Sequence, residues 1–253
     1  MSLLRKTRFQ SLFEGDAKKL SMFMLAELVL ITLGMSIALQ FDQWKEYQGK
    51  LDKEIVLLEQ LQIEFVKAES MIVFAINELD SLDAPRFKLY KNCGNNQDEL
   101  TEFELLELNV ATFTFMTLTI SNGVLHDAIN SGKFTLIQNE KLRTQLSDWE
   151  GRVKRMEYRI LKVNERIANY YTDSFNYLSY RDIDHKSYPD LDLQNSVLSH
   201  NELDILYSLR FENHIGDVFF QGRAMKNLLS SYLMEPVKEI LNILEKEIEL
   251  KSL

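Results

Sequence analysis

The chain has 253 residues, 45% apolar and 26% charged, with one Cys, 9 Gly and 3 Pro. Those proportions exclude a disordered chain, a disulfide-stapled one and a turn-rich β architecture, and they leave a mainly α fold as the expectation. The formal net charge of −9 argues against a nucleic-acid partner, although the charge is unevenly placed: residues 1–20 carry +3, residues 21–41 carry −1 and residues 42–253 carry −11.

Residues 1–20 form a basic segment with Arg5, Lys6, Arg8, Lys18 and Lys19. From Ser21 to Phe41 the only ionisable group is Glu27, and 21 such residues match the roughly 20 needed to cross a hydrocarbon core. The excess of Lys and Arg before this run, against Lys45, Lys50 and Lys53 after it, places the N-terminus in the cytoplasm. Trp44 and Tyr47 stand where an interfacial aromatic belt would lie. Two other readings fit the same run. Leu28 to Leu39 has the length of a signal-peptide core, with Ser36-Ile37-Ala38 as a small-x-small cleavage site. A buried core helix is the other reading.

Within the span, Glu27, Ile31, Gly34 and Ala38 are spaced 4, 3 and 4 and share one helix face. Small residues allow close helix approach, so this stripe is expected to face protein, with Glu27 either paired in trans or reaching to the headgroups. Thr32 and Ser36 lie on roughly the opposite side, where bonding back to their own helix carbonyls is the expected role.

A heptad anchored at Leu51 continues through Leu58, Phe65, Ile72 and Leu79, with Glu54, Leu61, Ala68, Ala75 and Leu82 at the second seam position. The span is therefore expected to continue as one helix to about Leu82 and stop at Asp83-Ala84-Pro85. Ile55, Val56, Ile63, Val66, Val73, Phe74 and Ile76 widen its apolar surface, as for a helix packed inside a bundle. A loop over 92–96 holds Cys93, expected to be a free thiol, and a short amphipathic helix follows over 98–108. Val110 to Ile120 is expected to be extended. Ser121 is expected to cap a short helix that Gly132 ends, and Asn139 to cap a long one. Along that long helix Leu142, Leu146, Trp149, Val153, Met156, Ile160, Val163, Ile167, Tyr170, Ser174 and Tyr177 recur at strict 4,3 spacing. Residues 181–200 are expected to be a loop. Asn201 opens a last helical stretch with possible breaks at Gly216, Gly222 and Pro236.

Two blocks carry a family resemblance. Arg5-Lys6, Ala26-Glu27-Leu28, Gly34, Ile37-Ala38-Leu39-Gln40 and Trp44 resemble the N-terminal signature of an uncharacterised bacterial family of single-pass membrane proteins classed as a domain of unknown function. Ala128, Ser131-Gly132, Leu136-Ile137, Asn139, Leu142-Arg143 and Leu146 are similar to a second block of that family. Asp42-Gln43, Lys45-Glu46 and His126-Asp127 depart from its pattern. The resemblance implies topology and a helical fold, and it brings no chemistry.

Arg152, Arg155, Arg159, Lys162 and Arg166 form a 3,4 stripe beside the inward positions of the long helix. Pairing with acids such as Glu235, Glu239 and Glu245 is the plain expectation, and contact with an anion or a partner the sharper one. His126, His185, His200 and His214 show no metal-ligand spacing, and no Walker loop, GxSxG or GxGxxG occurs, so neither metal, cofactor nor enzymatic activity is expected.

The chain is thus expected to be a bacterial inner-membrane protein. Residues 1–20 are cytoplasmic, 21–41 transmembrane, and 42–253 a periplasmic antiparallel helical bundle. It would act by contact with the bilayer, with further copies of itself or with another membrane protein. The alternative is a membrane-anchored sensory bundle that recognises an anionic ligand near Arg155 and Arg159 and signals through a partner.

Overall fold

In the computed structural model, which describes residues 17–94, 100–198 and 202–252, the apolar run and the heptads lie on one continuous helix, α1, Ala17–Asn92. The side chains of Arg5, Lys6, Arg8, Lys18, Lys19 and His200, and the expected helix start at Asn201, lie outside the described residues. The chain divides into two compact units, Met1–Val56 and Leu57–Leu253. The described part of the first is the N-terminal portion of α1, whose Ser21–Phe41 stretch is exposed apart from a half-buried Phe23. It is long and apolar enough to cross a membrane, with a mean hydropathy of 2.2 over its most apolar window.

The second unit is built on the heptads. Leu58, Leu61, Phe65, Ala68, Ile72, Ala75, Leu79 and Leu82 are all buried, as a continuous 4,3 seam requires. The expected stop at Pro85 does not occur, because α1 continues to Asn92. Proline deprives only the Ser81 carbonyl of its helical donor, at an exposed position where water can replace it. Continuing the helix buries Arg86, Leu89 and Cys93 in the same heptad phase. The broader apolar surface is corrected too. Ile63, Val66, Val73 and Phe74 are exposed, since neighbouring helices cover α1 from one side only.

Helix α2, Glu102–Thr112, opens with a capping box in which Thr101 and Glu104 satisfy each other's backbone N–H groups. Because Asn109 and Thr112 are buried in helical phase, the helix takes the first residues of the stretch expected to be extended, and non-helical chain begins after Phe113. This connector is fixed by Asn164 of the long helix. Its Oδ1 accepts from Met116 N at 2.9 Å and its Nδ2 donates to Met116 O at 2.8 Å, so a side-chain amide stands in for a strand partner.

Helix α3, Gly123–Asn130, is not capped by Ser121. Asn122 occupies the cap position, but its Oδ1 is taken by Trp149 Nε1 at 2.9 Å. The cap comes from α1: Glu64 accepts from Val124 N at 2.9 Å and from Leu125 N at 3.0 Å. Gly132 adopts φ 77° after α3, as expected of a left-handed stop. Asn139 then caps α4, Glu140–Ser174, by accepting from Leu142 N. Every expected inward residue of α4 from Leu142 to Ser174 is buried.

The stretch 181–200 is not simply a loop. Ser179 caps α5, Tyr180–Ser187, and a short 3-10 turn, Pro189–Leu191, follows. Helix α6, Leu209–Leu228, passes into a π-helical turn, Leu229–Met234, and then into α7, Glu235–Ser252. None of the three expected breaks interrupts it. Gly216 and Gly222 are sites of close approach: a Cβ on Gly216 would lie 2.9 Å from Tyr90 Cε2, and one on Gly222 2.9 Å from Arg86 Nη1. Pro236 falls just after the wide turn. Its missing N–H frees the Tyr232 carbonyl, to which Arg152 Nη1 donates at 3.4 Å.

Contacts along the helices fix their sense. Asp80 meets Lys226, Asp83 meets Arg223 and Phe87 meets Phe219, so α6 descends as α1 rises. Lys141 meets Glu239 and Arg166 meets Asp217, so the C-terminal helices also oppose α4. Phe65 packs on Trp149 at 5.3 Å between ring centroids. Ala75, Leu79 and Ile160 lie around one small cavity, so α1 and α4 run in the same sense, joined by the α2–α3 crossover. No strand occurs among the described residues.

The two kinds of glycine are separable by experiment. Gly216→Ala is expected to destabilise by about 1 kcal/mol net, because pushing a ring wedged beside Phe219 and Phe220 outweighs the gain in helix propensity. Gly151→Ala, in α4 with open space around the added methyl, is expected to stabilise by about 0.5 to 1 kcal/mol. Urea midpoints that moved in the same direction would contradict this assignment.

Candidate functional site

The stripe of Glu27, Ile31, Gly34 and Ala38 is uniformly outward and exposed. A Cβ built on Gly34 would meet nothing within 4 Å. Thr32 Oγ1 donates to Leu28 O at 2.8 Å and to Val29 O at 2.9 Å, and Ser36 Oγ donates to Thr32 O at 2.9 Å. Both hydroxyls are satisfied within their own helix, as the sequence suggested, and do not require a second contact face.

The basic stripe on α4 does not act as a unit, and its partners differ from those expected. Arg152 bonds the Tyr232 carbonyl and lies over the Tyr232 ring at 5.0 Å. Arg155 lies over the same ring at 5.5 Å and donates to Gly151 O of its own helix. Glu239 is taken by Lys141, outside the stripe. The Arg159 side chain is exposed. Lys162 pairs with Glu165 at 2.8 Å, one turn along. Arg166 reaches across to α6, where Nη1 donates to both oxygens of Asp217 at 2.7 Å. That carboxylate, by hydrogen bond and charge, raises the Arg166 pKa above its ordinary value. The stripe therefore divides into a half that braces the π-helical turn and a half that enters a groove.

The groove, of about 520 Å³, lies between α4 and α6 and is lined by Lys162, Glu165, Arg166, Asn169, His214 and Asp217. At one end His214 Nδ1 faces Asp173 Oδ2 at 3.4 Å, and Asp173 also pairs with Arg210 at 2.5 Å. Asp173 is buried, and below it Tyr170 donates to Asn109 in an interior polar cluster. Desolvation holds the Tyr170 hydroxyl well above the usual phenol range, so it stays a neutral donor. Sequence reasoning found Lys162 and Arg166 but missed Asn169, His214 and Asp217. His214 and Asp217 lie off the inward 4,3 positions Phe211, Ile215, Val218, Gly222 and Met225 of α6, so no local repeat marks them.

A second groove, of about 280 Å³, is lined by Asn122, Gly123, Leu125, His126 and Glu150. Among the described residues no group of three or more His, Cys, Asp and Glu side chains is placed to hold a metal ion. Buried Arg86 donates to Thr112 O at 3.3 Å and Thr114 O at 3.5 Å, tying the connector to α1. Desolvation lowers its pKa to about 10, which keeps it cationic at neutral pH.

Cys93 is a buried thiol at the end of α1, donating to Leu89 O at 3.4 Å. Burial, and then the charge of Glu212, push it up to about 12. At pH 8 its thiolate population is more than about a thousandfold below that of an ordinary cysteine. Alkylation of the native protein is expected to be correspondingly slow and to rise about tenfold per pH unit up to pH 10, whereas the unfolded chain labels at the ordinary rate. Rapid native labelling at pH 8 would show the thiol to be accessible.

No protein-family model matches the chain, and no curated protein or solved structure shows significant similarity to it.

Proposed function

We propose that the chain is a single-pass bacterial inner-membrane protein with a cytoplasmic N-terminus and a periplasmic helical bundle, and that it works as an interaction subunit. The observation that carries this reading is the N-terminal portion of α1, where a nearly uncharged 21-residue stretch is exposed over almost its whole surface. Water is a poor solvent for such a surface and hydrocarbon a good one. The basic segment before it favours the cytoplasmic side for the N-terminus.

Contacts with other chains draw support from two surfaces. One is the Glu27, Ile31, Gly34 and Ala38 face, whose glycine would admit a close neighbour. The other is the uncovered face of α1 bearing Ile63, Val66, Val73 and Phe74. Partners are then the bilayer, further copies of the chain or another membrane protein. The extracytoplasmic placement of the bundle, in which α6 runs antiparallel to α1 and α4, belongs to the same proposal. An anion sensor centred on Arg155 and Arg159 is less well supported, because Arg155 is engaged with Tyr232 and Gly151.

A C-terminal alkaline phosphatase fusion is the test of topology. Enzyme activity is expected, together with no fluorescence from a reporter that folds only in the cytoplasm. The opposite pattern refutes the arrangement. Crosslinking in intact membranes then identifies the chains that touch it.

A further inference from the structure

We propose that the groove between α4 and α6 binds a small zwitterion of the free α-amino acid class. Its wall carries two cations and two carboxylates already joined in pairs, Lys162 with Glu165 and Arg166 with Asp217, and both pairs are about half exposed. Exposed pairs of this kind are weakly held and exchange readily for equivalent partners. A simple anion that took Arg166 would leave Asp217 with Gln221 Nε2 alone, at 3.5 Å, and a simple cation that took Asp217 would strand Arg166. A molecule with one carboxylate and one ammonium can replace both halves of a pair at once and leave no charge unmatched.

The rest of the lining suits that exchange. Asn169 offers both a donor and an acceptor. His214 also lines the groove, with its Nδ1 3.4 Å from Oδ2 of buried Asp173. At about 520 Å³ the space is ample for an amino acid with its side chain. With His214 neutral the lining carries no net formal charge, which disfavours phosphate and other multiply charged anions.

The test is thermal unfolding of the full chain in detergent with a panel of free α-amino acids, against acetate, methylammonium and inorganic phosphate as probes that carry charge of one sign. At ten times its Kd the bound zwitterion is expected to raise the melting temperature by about 3 to 6 °C, with the one-sign probes silent. Arg166→Gln and Asp217→Asn are each expected to abolish the rise, and Lys154→Gln, outside the groove, to retain it. The His214 ring resonance is expected to shift on binding, which places the ligand independently of the variants. An equal rise with phosphate or acetate makes the groove a plain anion site and overturns the proposal. So does the absence of any rise across the panel, or a rise that survives both groove variants.

Discussion

Glu64→Ala is expected to destabilise the bundle by about 3 kcal/mol, although Glu64 sits outside the 4,3 seam of its own helix. Its buried carboxylate accepts from the N–H groups of Val124 and Leu125, the orphan donors that α3 cannot satisfy internally. Asn122 cannot take over, because its side-chain oxygen is held by Trp149. Removing the carboxylate therefore leaves one buried and one part-buried donor unpaired. Glu64→Gln keeps the volume and one acceptor, but turns an amide donor toward a backbone donor, so about half that loss is expected. Guanidinium unfolding of the three proteins measures both values, and equal stability of Glu64→Ala and the parent would remove Glu64 from its capping role.

Trp149→Ala is expected to cost about 3 to 5 kcal/mol. The indole is among the largest fully buried side chains, packs on Phe65 at 5.3 Å between centroids, and donates to Asn122. Trp149→Phe keeps most of the packing and loses the donor, so a loss of about 1 to 2 kcal/mol is expected. Because Glu64 and Trp149 hold the same turn from two helices, the double variant Glu64→Ala/Trp149→Ala is expected to lose less than the sum of the single losses, by about 1 kcal/mol or more. Strict additivity in the denaturation midpoints would show that the two contacts act independently.

These two residues also show where sequence reasoning reaches and where it ends. Trp149 lies on the 4,3 repeat of α4, and burial every third and fourth residue is legible because one helix face must pack whatever its neighbour is. The cap at Asn139 was legible for a similar reason, since a cap acts within four residues of itself. Glu64 has no such signature. Its partner is 60 residues away, and nothing near position 64 marks a carboxylate that caps another helix. Asn164 on Met116 and Arg152 on the Tyr232 carbonyl are alike in this, being polar residues whose role depends on a distant backbone group.

The corrected boundaries have a common cause. Pro85, Gly216, Gly222 and Pro236 carry local breaking tendencies worth about 1 to 3 kcal/mol each, and tertiary burial on either side outweighs them. Leu89 and Cys93 beyond Pro85 are buried, as are Val218 and Met225 around the two glycines. At the groove the legible part was Lys162 and Arg166 on α4, while Glu165 and Asn169 of the same helix carried no signal. The α6 half needed knowledge of which helix lies alongside. The exposed face at Ile63, Val66, Val73 and Phe74 was misread because apolar composition alone does not show whether a neighbour is present.

The parallel pairing of α1 with α4 has a kinetic consequence. Helical bundles joined by short loops fold quickly because each helix meets its neighbour soon after it forms. Here the fixing contacts close long segments: Met116 with Asn164 across 48 residues, Glu64 with Leu125 across 61, and Asn139 with Glu247 across 108. Loop closure over such separations must precede the contacts that reward it. During synthesis the seam of α1 is made first, its cover from α4 later and its cover from α6 last, so the end of the seam around Leu79 and Leu82 stays incompletely covered until most of the chain has emerged. A chain built this way exposes apolar seam for a longer part of its synthesis than an up-and-down bundle of equal length.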